Sequence, residues 1–491
     1  MKSQIMRLGR GTFIYGLGSA LQQFFGFLLL PLFTRILTPA DYGVIALIGI
    51  VTVALGALYN LGTGNSMGIL YFREQDPLKR PAIVWTNVAL MLASSLLLVL
   101  VTSAVAPQIS LLVFQTSQYA DLFRVAFVTL ALTTVTTPFY SYLRMEEKAR
   151  TYVYLTVVDT IVTLLLSIYL VAILRWGVAG VFVSGLAAKI LMLLITGFVV
   201  GRRLPFGLDM HLVKSMVRIG FPSIFGLFAF LVIDYADRQM IERMLNIEAL
   251  GIYSIGYNFG MVMLMAVSAF GSAWPPFFMS FINKRAEAEV VFGKVLKYYL
   301  LGFGTLTLLF FVVAKPIVLL LTAPAFHDAF TVIGLIAAAY MLRGCYLILL
   351  PGMYFAEKLH WQSAIEWAAA IINIALNLVL IPIMGITGAA CATLVSYLAL
   401  TVLAWVIGRR YLQVQYDWRR IIIFTLGMAV IAAIIYKGSL DSNILLQLVL
   451  SVPLLLAFLL GTFVFVCDGK EKQAVREFFD YIYKLLLKKR G

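Results

Sequence analysis

Long apolar runs separated by short polar connections dominate the pattern of this chain. We count fourteen runs of about 20 residues, the length that an α-helix needs to cross the roughly 30 Å hydrocarbon core of a bilayer. The pattern therefore predicts fourteen membrane-spanning helices. Their predicted ranges are 11–34, 44–70, 82–105, 120–142, 152–174, 178–200, 218–236, 249–274, 295–322, 329–353, 361–382, 386–408, 420–436 and 444–466.

An internal repeat with an offset of 208 residues relates the two halves of the chain. The matched pairs are Arg10 with Arg218, Arg35 with Arg243, Leu37 with Leu245, Gly43 with Gly251, and Trp176–Gly180 with Met384–Gly388. Several landmarks at one offset indicate duplication. Because six predicted spans separate the copies, both copies have the same orientation, as in parallel repeats that place the substrate between them.

The predicted fold is therefore an all-α polytopic membrane protein with two parallel-repeat six-helix bundles and two extra C-terminal helices. We predict bundles at 1–200 and 201–410, the added helices at 411–466, and an amphipathic cytoplasmic tail at 467–491. The second half is preceded by Asp209–Arg218, whose pattern predicts a short helix at the membrane interface.

Composition agrees with a membrane protein. The chain has 491 residues, of which 62% are hydrophobic and 12% charged, and a soluble protein could not cover that much apolar surface. The first run is too long for a cleavable signal peptide, and no cleavage site is expected. The connections are too short to hold a folded domain outside the membrane.

The net charge of +15 does not indicate nucleic acid, because the basic residues are distributed by topology. Of the 38 Lys and Arg, 29 fall on the side of the two termini, five on the opposite side and four within spans. The positive-inside rule therefore predicts an inner (cytoplasmic) cell membrane protein with both termini in the cytoplasm. Anionic membrane lipids are the expected partners of this basic surface, and no nucleic acid is expected.

The cysteines and histidines predict no cofactor and no metal. Cys345, Cys391 and Cys467 are scattered in or beside apolar runs, without the spacing of a disulfide framework or a metal site. The three histidines stand far apart in connections. No residue is expected to be catalytic.

Ionisable residues inside spans are costly and need a partner or an aqueous cavity. Asp159 and Lys189 lie in adjacent antiparallel spans, at heights that differ by about 6 Å when counted from the intervening hairpin. Arg343 and Glu366 lie in another such pair of spans, at heights that differ by about 7 Å. Structural ion pairs and cavity sites are both open for these four residues.

Three segments resemble the Wzx-type polysaccharide and oligosaccharide flippases. These flippases belong to a superfamily that also contains multidrug extruders and the lipid II flippase. The segments are Leu30–Gly43, Asp237–Arg238 with Gly251–Ser254, and Asn373, Asn377, Pro382, Gly385 and Gly388–Ala390. The resemblance implies two six-helix bundles in a V around a central cavity, alternating access for a lipid-linked glycan, and no enzymatic chemistry. The two extra helices are more similar to the lipid II flippase and some polysaccharide exporters than to a twelve-helix extruder.

The resemblance implies a lipid-linked oligosaccharide substrate, with undecaprenyl pyrophosphate as the expected carrier. An anionic head group needs fixed cations, and a guanidinium can donate paired hydrogen bonds to phosphate oxygens. The candidate substrate-binding residues are Arg35, Lys189, Arg238 and Arg343. Arg35 and Arg238 can equally be interfacial anchors, and Asp237 can simply neutralise Arg238.

Coupling to an H+ or Na+ gradient needs a titratable or cation-binding carboxylate. Asp159, Asp234 and Glu366 are the candidates, although Asp234 lies near the outer end of its span. Polysaccharide polymerase or export proteins are further possible partners. The pathway, whether O-antigen, capsule, exopolysaccharide or peptidoglycan precursor for the cell envelope, stays open.

Two rival functions remain. A multidrug extruder on the same fold would favour an acidic or aromatic pocket, whereas the embedded charges here are mixed. A membrane glycan polymerase or ligase would need acidic, histidine or arginine residues near a large exterior loop, and no connection is long enough. The preferred interpretation is a transporter that flips a lipid-linked oligosaccharide to the outer leaflet.

Overall fold

The computed structural model describes residues 29–220, 222–441 and 443–466, with the isolated residues 469 and 473. Most of the first predicted span and the predicted amphipathic tail lie outside these residues. Within the described ranges the regular structure is helical throughout, and no strand occurs there. The predicted all-α polytopic fold is confirmed.

Eight helices follow one another between residues 29 and 220. They are α1 (Pro39–Tyr59), α2 (Thr63–Arg73), α3 (Arg80–Ala104), α4 (Ala106–Phe114), α5 (Ala120–Met145), α6 (Ala149–Ser167), α7 (Gly177–Val199) and α8 (His211–Gly220). A π-helical turn, Ile168–Ile173, continues α6, and a 3-10 turn, Gly201–Arg203, follows α7.

Nine helices follow in the rest of the described chain. They are α9 (Pro222–Met244), α10 (Ile247–Gly260), α11 (Val262–Met279), α12 (Arg285–Leu321), α13 (Phe330–Leu349), α14 (Pro351–Phe355), α15 (Leu359–Gly408), α16 (Trp418–Asp441) and α17 (Ile444–Phe465). A 3-10 turn, Pro324–Ala329, precedes α13.

Eleven helical stretches among the described residues are long and apolar enough to cross a membrane. The range given as α15 has 50 residues and contains two helices that meet at a kink at Gly385, whose backbone is not helical. Two spans were predicted there. Helix α9 has 23 residues but carries five charged side chains, which lower its hydropathy. The count of fourteen spans stays a prediction.

The chain forms two compact units. The first contains the described residues of Met1–Ile255 with Leu319–Ala329 and Glu366–Thr393. The second contains Gly256–Val318, Phe330–Ile365 and the described residues that follow Thr393. Apolar side chains from α2, α3, α5, α6, α7 and α8 form a core in the first unit, and α12, α13, α16 and α17 form one in the second. The predicted bundle boundaries stay a prediction.

The backbone repeats itself at the predicted offset. Gly177, which begins α7, has φ +56°, and Gly385, which bends α15, has φ +59°. The two glycines are 208 residues apart. Both have a positive φ, which residues with a Cβ rarely adopt. The two copies therefore share a glycine with positive φ at this position.

The N-termini of α1 and α10 are also equivalent. Thr38 caps α1 and forms a capping box with Asp41. At the equivalent position before α10, the side chain of Asn246 accepts a hydrogen bond from the Ala249 N–H at 2.7 Å. Side-chain acceptors at these positions satisfy N–H groups that have no partner within the helix. Each helix then places a glycine five residues after its capping residue.

These two glycines, Gly43 and Gly251, lie where α1 and α10 meet within the first unit. A Cβ on Gly43 would lie 2.3 Å from the carbonyl oxygen of Ile247. A Cβ on Gly251 would lie 1.8 Å from the carbonyl oxygen of Pro39. Only glycine permits so close a backbone approach. The repeat signature is therefore also the place where the two copies touch.

We predict that Gly251→Ala destabilises the protein by about 1–3 kcal/mol, because the added methyl group must push two helix backbones apart. The matched control is Gly49→Ala in α1, where a Cβ would meet no atom within 4 Å. The control should be neutral or slightly stabilising, because alanine favours a helix. Thermal unfolding of the two variants in detergent measures the difference, and equal melting temperatures would contradict the contact.

Candidate functional site

A buried charged pair lies near the end of α9. Asp237 is completely buried and Arg238 is 5% exposed. The Asp237 carboxylate accepts a hydrogen bond from the Tyr253 hydroxyl, and Arg238 Nη1 lies 3.4 Å from the other Asp237 oxygen. Arg238 also donates to the backbone carbonyl of Asp234. The pair is therefore tied both to its own helix and to α10.

Aromatic rings surround the guanidinium of Arg238. Its Cζ lies 4.8 Å from the ring centroid of Tyr235 and 6.0 Å from that of Tyr253. A cation over an aromatic face is stabilised by the ring quadrupole, and more so when water is excluded. The rings and the carboxylate together explain how this cation is held inside apolar surroundings.

Helix α15 adds neutral polar groups to the first unit. The Thr393 side chain lies within hydrogen-bonding reach of Tyr253, and it donates to the Ala389 carbonyl at 3.2 Å. On the same helix, Asn377 donates its amide to Asn373 Oδ1 at 3.0 Å, and both residues are completely buried. Asn373 Nδ2 and Asn377 Oδ1 have no hydrogen-bond partner within the described chain.

We call Asp237, Arg238, Tyr253 and Thr393 the α9–α10–α15 cluster. The sequence indicated Arg238, with Asp237 only as its possible neutraliser. It gave no indication that Tyr253 contacts Asp237 or that Thr393 lies beside Tyr253. Tyr253 does stand inside the repeated segment Gly251–Ser254, which was the available signal. Its contact with Asp237 depends on how α9 and α10 are rotated, which the sequence pattern does not encode.

The charges of α6 and α7 form an ion pair, one of the two arrangements that the sequence left open. Lys189 Nζ lies 2.6 Å from Asp159 Oδ2, and the two side chains are 24% and 12% exposed. Asp159 Oδ1 is buried and has no hydrogen-bond partner within the described chain. A fully formed pair supports the structural interpretation of these two residues. Their candidate roles in substrate binding and coupling stay predictions.

Arg343 lies on α13 in the second unit and is partly buried. Its Nη1 is 3.4 Å from the hydroxyl oxygen of Tyr397 on α15. A second hydroxyl contact in this unit joins Tyr257 and Tyr340 at 2.7 Å, and the Tyr340 and Tyr397 rings have centroids 6.0 Å apart. The guanidinium therefore stands at the edge of a group of buried tyrosines.

The other candidates occupy different surroundings. Arg35 is exposed in the turn that precedes α1, as an interfacial anchor or a surface cation would be. Asp234 is partly buried on α9, and Glu366 is 4% exposed on α15. Glu366 belongs to the first unit and Arg343 to the second, so the proposed pair between them stays a prediction.

Within the described ranges, no group of three or more His, Cys, Asp and Glu residues could hold a metal ion. The charged groups described above can instead bind an anion through guanidinium groups, or a proton or small cation through a buried carboxylate.

Comparison with protein families gives one match. A family described as "Polysaccharide biosynthesis protein" matches residues 8–282, which is more than half of the chain. No curated protein matches the chain.

Solved structures share the fold at low sequence identity. The lipid II flippase MurJ, in an inward closed conformation, has a TM-score of 0.68 and 13% identity, and the match covers 91% of this chain and 98% of that chain. An inward-facing MATE multidrug transporter has a TM-score of 0.68 and 11% identity, with 79% and 94% covered. A Vibrio cholerae MATE transporter has a TM-score of 0.57 and 15% identity, with 84% and 98% covered.

We predict that Lys189→Ala destabilises the protein and that adding Asp159→Ala restores part of the loss. The single variant leaves a carboxylate without its cation in surroundings of low polarity, whereas the double variant removes both charges. The double-mutant cycle should give a coupling of about 0.5–3 kcal/mol in thermal or denaturant unfolding.

The exposed pair Asp121–Arg124 is the matched control, because its atoms are also 2.6 Å apart but its side chains are 88% and 45% exposed. Its cycle should give about 1 kcal/mol or less. Equal coupling in the two cycles would show that Asp159 and Lys189 are solvated.

Proposed function

The chain belongs to the polysaccharide biosynthesis protein family, and from this membership we propose that it flips a lipid-linked oligosaccharide. The proposed carrier is undecaprenyl pyrophosphate, and the proposed direction is from the cytoplasmic to the outer leaflet by alternating access. The fold is that of transporters and flippases, and the chain is a multi-pass membrane protein. We propose no catalytic residue and no cofactor.

The observation that carries this proposal is the buried arginine of α9. Arg238 is 5% exposed and is held by Asp237 and two tyrosine rings. Keeping a cation inside a membrane-embedded helix is costly, so such residues mark ligand or ion pathways. A pyrophosphate has several oxygens that accept paired hydrogen bonds from one guanidinium. This chemistry fits a lipid pyrophosphate better than a cationic drug.

The four substrate candidates differ in how available they are. Arg238 and Arg343 are guanidinium groups within helices, and we propose them as the main phosphate ligands. Lys189 lies 2.6 Å from Asp159, closer than the 3.4 Å between Arg238 and Asp237, and an ammonium lacks the paired N–H groups of a guanidinium. Arg35 is exposed, and we propose that it contacts the head group after the membrane crossing.

For coupling to H+ or Na+, we propose Asp237 in addition to Asp159, Asp234 and Glu366. Asp237 and Glu366 are the most buried of these carboxylates, at 0% and 4% exposure. A buried carboxylate changes its interactions strongly when it gains a proton or cation, and that change can bias the conformation. Asp159 is less suited, because Lys189 lies closer to it, at 2.6 Å, than Arg238 does to Asp237, at 3.4 Å.

A multidrug extruder on the same fold is the second candidate. Coverage favours the flippase: MurJ matches 91% of this chain, whereas the two MATE transporters match 79% and 84%. Helices α16 and α17 extend the chain beyond two sets of six predicted spans, which is consistent with that difference. We propose that the glycan belongs to the cell envelope, as O-antigen, exopolysaccharide or capsule does. We also propose contacts with a polymerase or export protein.

We predict that Arg238→Lys and Arg343→Gln each slow flipping of a fluorescent undecaprenyl-pyrophosphate glycan in proteoliposomes by more than tenfold. Hydrogen bonds to charged groups contribute about 1.5–3 kcal/mol, and lysine keeps the charge of Arg238 but not the paired geometry. Arg410→Gln, an exposed arginine outside the helices, is the control and should flip at the wild-type rate. Unchanged flipping in both test variants, with normal folding, would reject these phosphate ligands.

We predict that Asp237→Asn or Glu366→Gln uncouples flipping from an imposed H+ or Na+ gradient. The amide keeps the shape of the side chain but cannot gain or lose the charge that coupling requires. Downhill exchange of the labelled lipid should persist in the variant. Asp121→Asn, whose side chain is 88% exposed, is the control. If both test variants respond to gradients as the wild type does, coupling uses another residue.

A further inference from the structure

The segment that connects the two repeats has a basic and apolar surface. Between the end of α7 and the end of α8 it carries Arg202, Arg203, His211, Lys214 and Arg218, all of them exposed. Three apolar side chains in the same segment are also exposed: Phe206 by 74%, Leu208 by 45% and Met210 by 64%. We call these eight residues the connector surface.

The connector surface is held firmly against the first unit. The Trp85 ring packs edge-on against Phe206 with centroids 5.3 Å apart, and its indole N–H donates to the Leu204 carbonyl at 3.4 Å. The Asp209 N–H donates to Thr86 Oγ1 at 2.9 Å. Exposure of the apolar groups is therefore built into an ordered segment and does not come from a loose loop.

Helix α8 has two different faces. Met216 is completely buried and, with Leu212, packs in the core of the first unit. His211, Lys214 and Arg218 follow at spacings of three and four residues, which places them on one exposed face. The helix thus presents a basic stripe while its apolar face anchors it.

Within the described chain, no ion pair to an acid involves the basic groups of the connector surface. The ion pairs found there use other arginines and lysines. Asp209, the acid within this segment, uses its carboxylate to accept the His211 N–H at 3.0 Å, at the start of α8. Among the described residues, the stripe therefore has no acidic partner and lies beside exposed apolar groups.

We propose that the connector surface is a binding site for anionic bilayer phospholipids of the phosphatidylglycerol type. The phosphates bind along Lys214 and Arg218, while Phe206 and Met210 enter the boundary between head groups and acyl chains. Cations beside inserted aromatic and aliphatic groups are the combination that interfacial segments use to bind anionic membranes. A soluble partner would not account for apolar groups beside the end of a membrane-spanning helix.

The lipid site lies next to the start of the helix that carries the buried charges. Helix α8 ends at Gly220, where a Cβ would lie 2.8 Å from the backbone of Leu61 and Gly62, at the bend between α1 and α2. The next helix, α9, carries Asp237 and Arg238. A lipid that fixes α8 therefore anchors the start of the helix that holds the buried charges. The site does not depend on which substrate is flipped.

The test uses the delipidated full-length protein in a neutral detergent. Phosphatidylglycerol and phosphatidylcholine are titrated separately, and bound lipid is counted by native mass spectrometry while the melting temperature is followed. Phosphatidylglycerol should bind and raise the melting temperature, and phosphatidylcholine should not. Lys214→Gln/Arg218→Gln should weaken phosphatidylglycerol binding by about 30-fold, because each cation near an anionic surface raises the binding constant about five- to sixfold. Met210→Ser should weaken it several-fold.

The charge-matched control is Lys358→Gln/Arg410→Gln, which removes two exposed cations from connections in the second unit. It should bind phosphatidylglycerol as the wild type does. If both double variants lose phosphatidylglycerol binding equally, binding depends on net charge alone, and the proposed site is wrong. Binding of undecaprenyl pyrophosphate in place of phosphatidylglycerol at this surface would make it a substrate dock and would also overturn the proposal. None of these readouts requires flipping, so failure of the flippase proposal would be seen separately.

Discussion

The close contact between Gly43 and Gly251 is the constraint on which the rest of the first unit depends. A Cβ on either residue would collide with a backbone carbonyl of the opposite helix. The approach fixes α10 against α1, and Tyr253 follows Gly251 by two residues on α10. The position from which Tyr253 reaches Asp237 is therefore set by a contact between two equivalent glycines of a duplicated sequence. Because the sequence is duplicated, both helices place a glycine at this contact, and the absence of a Cβ on each lets the two backbones approach.

Burial of charge is the second principle of the structure, and it is handled in two ways. Asp159 and Lys189 neutralise each other across adjacent helices at 2.6 Å. Asp237 and Arg238 are neighbours on one helix and rely on Tyr253, Tyr235 and the Asp234 carbonyl for the remaining contacts. An arrangement that depends on several helices responds more readily to a ligand or a proton than an isolated ion pair does, because movement of any one helix changes it.

Much of this fold could be predicted from the sequence because the bilayer imposes simple rules. Span length follows from membrane thickness, and the Asp159–Lys189 contact follows from counting residues on either side of a hairpin. The repeat pairs Gly177 with Gly385, and both glycines have a positive φ. The α9–α10–α15 cluster could not be predicted, since Asp237, Tyr253 and Thr393 meet through helix rotation and long-range packing. The kink within α15 was visible in the sequence, because the repeat pairs Gly385 with Gly177 and two spans were predicted on either side of it.

The central claim is that the chain moves a lipid-linked glycan, and substrate selection by the wild-type protein tests it most directly. Proteoliposomes would be loaded in parallel with a fluorescent undecaprenyl-pyrophosphate oligosaccharide and with a cationic dye, and translocation of each would be followed on the same preparation. The account predicts protein-dependent flipping of the glycan lipid, competition by unlabelled undecaprenyl pyrophosphate, and no export of the dye. Export of the dye without flipping of any glycan lipid would contradict the account and favour a multidrug extruder on the same fold.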